Sequence, residues 1–195
     1  MTEADGPDVK VAVRLDAEPD SLGEWLADGA AFDAAGADAL WIDGGSRPRF
    51  DMVALTAALA AASARAELVL ALDELTVRSD TLDAGLRTVR ELSRGRLAVA
   101  VGPADEVAER FAELPVLRRE PDGTGWIDDR AEAGDLARWL PAPAPEGRSA
   151  WRETRAGAAA RGAYGLVLPA GPLLLDVLRN PNEPGGRSDL RLAQG

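Results

Sequence analysis

The sequence predicts an α/β fold built on parallel strands, and three observations carry that prediction. Four apolar runs, KVAVRL, ALWIDG, LVLALD and LAVAVG, begin at Lys10, Ala39, Leu68 and Leu97, each 29 residues after the one before. A parallel neighbour needs a crossover of a dozen or more residues, so this period holds one strand, one helix and two short loops. With 46% apolar residues and no Cys in 195 residues, the chain can bury one core without disulfides. This is the arithmetic of a βα barrel or an open α/β sheet, and in both the ligand gathers at the carboxyl ends of the strands.

Each element has its own local reason. The first strand (10–15) feeds a helix capped by Ser21, with Leu22, Trp25 and Leu26 on one face and Gly36 past its end. The second (39–43) ends in Asp43-Gly44-Gly45, after which Asp51 caps an Ala-rich helix. Such a helix is thin, so it packs closely on a sheet or on another subunit, and residues 51–63 are the expected contact of a dimer. The third strand (67–73) runs to Asp73-Glu74, and the helix opened by Asp80 or Thr81 places Leu82, Leu86 and Val89 at helical spacing before Gly95. The fourth (96–102) ends in Gly102-Pro103. Equal crossovers place these four strands side by side in chain order.

Beyond this point the period breaks. A helix is expected from Asp105 to Leu114, then the turn Pro121-Asp122-Gly123 between two short strands, then a helix over Ala131–Leu140. PAPAPEG reads as a loop or a strand end, because alternating prolines cannot serve a central ladder. A helix from Ser149 to Arg161 leads to the strand GLVLPA, and Pro172 opens a final helix that Asn180-Pro181 stops. The count is six or seven mostly parallel strands in one domain, 1–181, followed by a polar tail, 182–195.

Composition excludes several function classes. A net charge of -11 with a single lysine, Lys10, argues against a nucleic-acid surface. No run reaches the roughly 18 apolar residues of a membrane span and no basic-then-apolar leader is present, so a soluble cytoplasmic protein is expected. Without His or Cys the chain lacks Ser-His-Asp chemistry and most zinc sites. The predicted strand ends are acidic instead, at Asp16, Asp43, Asp73 and Glu74. Such carboxylates either cap the next helix, hold a hard cation for hydrolysis, or serve as acid and base. No Walker A or G-x-G-x-x-G pattern occurs. The turn Pro169-Ala170-Gly171-Pro172, just before a helix N-terminus, is where barrels often hold a phosphate. Arg118, Arg119 and Arg148 either clamp an anion or answer the acidic excess. Trp25, Trp41 and Trp151 read as core, whereas Trp126 and Trp139 are candidates for a ligand wall or an interface.

Three stretches resemble the bacterial luciferase-like family of flavin-dependent oxidoreductases. AAGADALWIDGG (34–45) has that family's strand form after a helix-ending glycine. FDMVALTAALAAAS (50–63) matches its Ala-rich helix, and TLDAGLRTVRELSRGRLAVAVG (81–102) its helix closing on L-S-x-G-R before a strand. ARGAYGLVLPAGPLLLDVLRNP is similar to its last barrel unit. The resemblance implies a shortened TIM-like barrel that binds FMN or a deazaflavin at its mouth and acts as a monooxygenase or oxidoreductase on a small organic substrate. The cofactor-binding positions it implies are Asp16, Asp43, Gly44, Asp73, Gly102, Arg118, Arg119, Ala170 and Gly171, with the phosphate near the last helix or the Arg118-Arg119 pair. The family commonly places His after strand two, where this chain has Asp43-Gly44-Gly45. The alternative is therefore a catalytically degenerate subunit or flavin-binding protein that pairs with a paralogue, as a homodimer or heterodimer.

Overall fold

Eight strands close into a barrel in chain order: β1 (Lys10–Arg14), β2 (Ala39–Asp43), β3 (Glu67–Ala71), β4 (Leu97–Val101), β5 (Val116–Arg119), β6 (Trp126–Asp128), β7 (Ala137–Pro141) and β8 (Gly165–Pro169). The computed structural model describes residues 9–181 apart from 17, 46–47, 73–80, 104–109, 112, 129 and 131–136. The helices among these residues are α1 (Leu22–Ala34), α2 (Met52–Ala62), α3 (Leu82–Leu92), α4 (Arg148–Ala160) and α5 (Pro172–Arg179). None is long and apolar enough to cross a membrane. As the equal spacing predicts, β1 to β4 are parallel sequential neighbours.

The irregular half corrects the expectation in two ways. There are eight strands rather than six or seven, and β6 runs antiparallel to both β5 and β7. Residues 120–125 form a tight hairpin, with the Gly125 carbonyl accepting from Glu120 N–H and Gly123 at φ 73. Six residues cannot make a crossover, so β6 must reverse. The extra strand is β7, in a segment whose Trp139 and Leu140 read as helical. In the barrel these two face opposite ways: Trp139 points into the lumen and Leu140 packs on the outer core. Most of the helix expected over 105–114 and the tail from 182 lie outside the described residues.

Strand alternation separates two cores. One gathers Ala12, Ala39, Trp41, Val69, Ala98, Ala100, Leu117, Trp139 and Val167, every one a strand residue, and this is the lumen. The other joins the opposite strand faces to the helices, for example Val13, Leu40, Leu68 and Leu166 with Trp25, Leu59, Leu86 and Leu174. The lumen is lined by alanine and filled by tryptophan. Trp139 lies so close to β8 that a Cβ on Gly165 would sit 2.4 Å from its ring, so only glycine fits there. The Ala-rich α2 lies between α1 and α3 of its own chain. Its Leu59 reaches the site a Cβ would take on Gly29 of α1, and its Val53 that on Gly85 of α3.

The base of the barrel is held by buried and paired charges. The Asp33 carboxylate at the end of α1 is buried and accepts from the backbone N–H of Ala64, Arg65 and Ala66, at 2.9, 2.9 and 2.6 Å. Arg96, just before β4, donates to the carbonyls of Ala60 and Ser63 at the end of α2 and of Ala66 just before β3. The turn that delivers it places Arg94 and Gly95 in the left-handed region, at φ 57 and 80. Burial alone would raise the Asp33 pKa, but the three N–H groups and Arg96 outweigh it and hold the carboxyl below its ordinary value. Under the lumen, Arg130 bridges Asp128 at the end of β6 to Glu67 at the start of β3. The Lys10 ammonium lies over the Tyr164 ring, 4.8 Å from its centroid, and Tyr164 favours the charged form and raises its pKa.

Two outcomes follow from this packing. Gly165→Ala lowers stability by about 1–3 kcal/mol through overpacking against Trp139, read as a lower urea midpoint with an unchanged slope. Asp33→Asn costs about 2–3 kcal/mol near neutral pH, because one amide oxygen replaces a carboxylate that serves three donors. Since the folded pKa is depressed, the contribution of Asp33 is complete above the unfolded value of 3.8 and is lost as the pH falls through the folded value. The gap between wild type and variant in urea titrations therefore narrows below about pH 4.

Candidate functional site

The two ends of the barrel differ in how their charges are used. At the base, Glu67, Asp128 and Arg130 are paired and Lys10 is engaged by Tyr164. At the mouth, the inward positions one step above the lumen core are Arg14 on β1, Asp43 on β2, Gly102 after β4, Arg119 on β5 and Pro169 on β8. Arg14 makes no ion pair with any described residue. An inward-facing charge without a partner at the carboxyl end of a barrel strand is where ligand contacts belong.

Two tryptophans floor this mouth. Trp41 lies beside Arg14 in the β1–β2 register, and Trp126 lies beside Arg119 in the β5–β6 register. The two rings meet across the lumen with centroids 4.7 Å apart at 55°. Arg119 stands over Trp126 at 6.0 Å. Reversal of β6 puts Trp126, its first residue, at the mouth and Asp128, its last, at the base. On the β3–β4 side the lining is small, with Ala71, Ala100 and then Gly102, around whose Cβ position no atom of the described residues lies within 4 Å.

Beside the floor, a cleft of about 430 Å³ opens between the ends of β1, β2 and β8, lined by Arg14, Asp16, Asp43, Gly45, Pro169 and Ala170. Its walls are fixed locally. Asp43 Oδ1 accepts from Gly45 N–H at 2.9 Å, and Asp16 Oδ1 from Glu18 N–H at 3.0 Å. Trp25 of α1 donates its indole N–H to the Asp16 carbonyl at 2.9 Å, which ties the β1–α1 loop to the helix. The Ala170 N–H donates to the Arg14 carbonyl and closes the cleft across the β1–β8 seam.

The positions singled out in the sequence therefore divide. Asp16, Asp43 and Ala170 meet in the cleft, Gly171 is the N-cap residue of α5 beside it, and Gly102 opens on the other side of the mouth. Gly44 is buried, with Met52 and Pro48 within 2.8 Å of its Cβ position, so it serves the packing of α2. Asp73 and Glu74 lie outside the described residues. Arg118 and Arg119 are successive on β5 and so face opposite sides of the wall, and only Arg119 reaches the mouth. Arg148 is committed to the C-terminal end of α5, where it bonds Asp176 and the Asn180 carbonyl. Among the described residues no three carboxylates converge as a metal-ligand set. Arg14 was not among the expected residues, although its place two after Ala12 in KVAVRL marks it as inward-facing once β1 is recognised.

Because the Arg14 side chain makes no ion pair with any described residue, Arg14→Ala changes stability by no more than about 0.5 kcal/mol in urea unfolding. Comparison with protein-family models and with curated proteins finds no match for this chain.

Proposed function

We propose that the barrel mouth binds FMN or a deazaflavin, and that the chain is a shortened luciferase-like monooxygenase or oxidoreductase acting on a small organic substrate. The observation that carries this reading is the half-buried Trp126 ring, backed by the buried Trp41, with Arg119 at its edge: an aromatic face with a cation suits a planar ring that bears a phosphate. On the β3–β4 side the lumen lining beside it is small, at Ala71 and Ala100. Trp126 would lie under the ring, Arg119 would take the phosphate, and the tryptophan floor would keep water from entering through the lumen. When bound, such a cofactor supplies hydride transfer or oxygen insertion. The phosphate is assigned to Arg119 rather than to the α5 terminus because Asp16 and Asp43 flank the latter and would repel it.

The second reading is a catalytically degenerate subunit that pairs with a paralogue. Asp16 and Asp43, the carboxylates of the mouth, each already accept a backbone N–H of their own turn. That use suits a structural role.

Titration of the full chain with FMN and with a deazaflavin coenzyme, followed by flavin fluorescence, separates the two. On the first reading, Arg119→Ala weakens binding by about tenfold or more, the size of one charge-assisted hydrogen bond. Arg118→Ala leaves it within about twofold. If neither cofactor binds, the cofactor reading is wrong and the degenerate subunit stands.

A further inference from the structure

The cleft between β1, β2 and β8 carries charges of both signs that do not neutralise one another. Arg14, Asp16 and Asp43 line the same 430 Å³ space, yet Arg14 forms no ion pair with either carboxylate. The two aspartates keep one oxygen each in a turn, Oδ1 of Asp16 and Oδ1 of Asp43, which fixes their orientation and leaves Oδ2 without a described donor. Pro169 and Ala170 supply an apolar wall from β8 and the residue after it.

Each simple ligand class leaves a charge uncompensated in this cleft. An apolar ligand would strip water from Arg14 and both carboxylates and give nothing in return. A plain anion gains Arg14 but meets two aspartates, and a plain cation gains the aspartates but meets Arg14. A ligand bearing both signs satisfies both sets with charge-assisted hydrogen bonds.

We propose that the cleft binds a small zwitterion, an amine-bearing carboxylic acid, with Arg14 on its carboxylate and Asp43, beside Asp16, on its ammonium group. This names a substrate class for the mouth and rests on reading the mouth as a ligand site, but it does not require a flavin. The aliphatic part of the ligand lies against Pro169 and Ala170. A guanidinium suits the carboxylate because its planar fork makes two parallel hydrogen bonds.

The test is calorimetric titration of the full chain with the proteinogenic α-amino acids, in the absence and in the presence of FMN. For each that binds, matched compounds lacking one charge are compared; for leucine these are isoamylamine and 4-methylpentanoate. The expected result is that at least one amino acid binds, and that removing either charged group weakens binding by about tenfold. Arg14→Gln is expected to abolish the preference for the amino acid over the amine. Asp43→Asn, which keeps an oxygen for Gly45 N–H and so keeps the turn, is expected to abolish the preference over the acid. The proposal is overturned if no amino acid binds, if the singly charged analogues bind as well, or if both variants bind like wild type. Amino-acid binding without FMN binding sinks only the cofactor reading; FMN binding without amino-acid binding sinks only this one.

Discussion

A lumen lined by alanine closes only if something large fills it, and two tryptophans do so. Trp41 on β2 and Trp139 on β7 are almost wholly buried among Ala12, Ala39, Ala98 and Ala100. Neither indole N–H reaches an acceptor among the described residues, a cost of about 1–3 kcal/mol each that the burial of the rings has to offset. The small neighbours follow from the large residues. Gly165 is bare because Trp139 occupies its side-chain space, and four alanines pack beside the two rings. The mouth inherits this arrangement, since the buried Trp41 packs against Trp126 at the lumen's upper end.

The first half of the fold was legible because its strands are apolar and evenly spaced, with helix-start signals between them. Ser21 and Asp51 do cap α1 and α2 through their side chains. The second half was less so, for a physical reason. The run containing Trp139 and Leu140 has no period of its own long enough to choose between helix and strand, and the barrel chose by demanding one residue on each side of its wall. The same geometry explains what was legible in the site. Asp16, Asp43 and Ala170 stood out because they follow strands. Arg118 and Arg119 looked like a pair because adjacency in sequence suggests proximity, whereas adjacency in a strand means opposite faces. Arg14 went unseen because it lies inside the strand run rather than after it.

The segment that carries the family resemblance most specifically, Leu92 to Arg96, is a structural device here. Ser93 ends α3, Arg94 and Gly95 turn left-handed, and Arg96 reaches the last carbonyls of α2. Together with Asp33 it ties three successive strand–helix units at the base, far from the mouth. A pattern of this kind reports how the chain turns from helix to strand. The chemistry at the other end of the barrel is set by different residues.

The cleft straddles the seam at which the barrel closes. Lys10 to Arg14 pair with Gly165 to Pro169, the contact that joins the two ends of the described chain, whereas the β5–β6 hairpin and the four sequential units form from nearby residues. Distant pairing carries the largest loop-closure entropy. Arg14 and Ala170 meet only once that seam has formed, so an unclosed sheet could keep most of its core and still have no cleft. A ligand held there bridges the ends of β1 and β8, so its binding energy adds to the pairing that closes the ring.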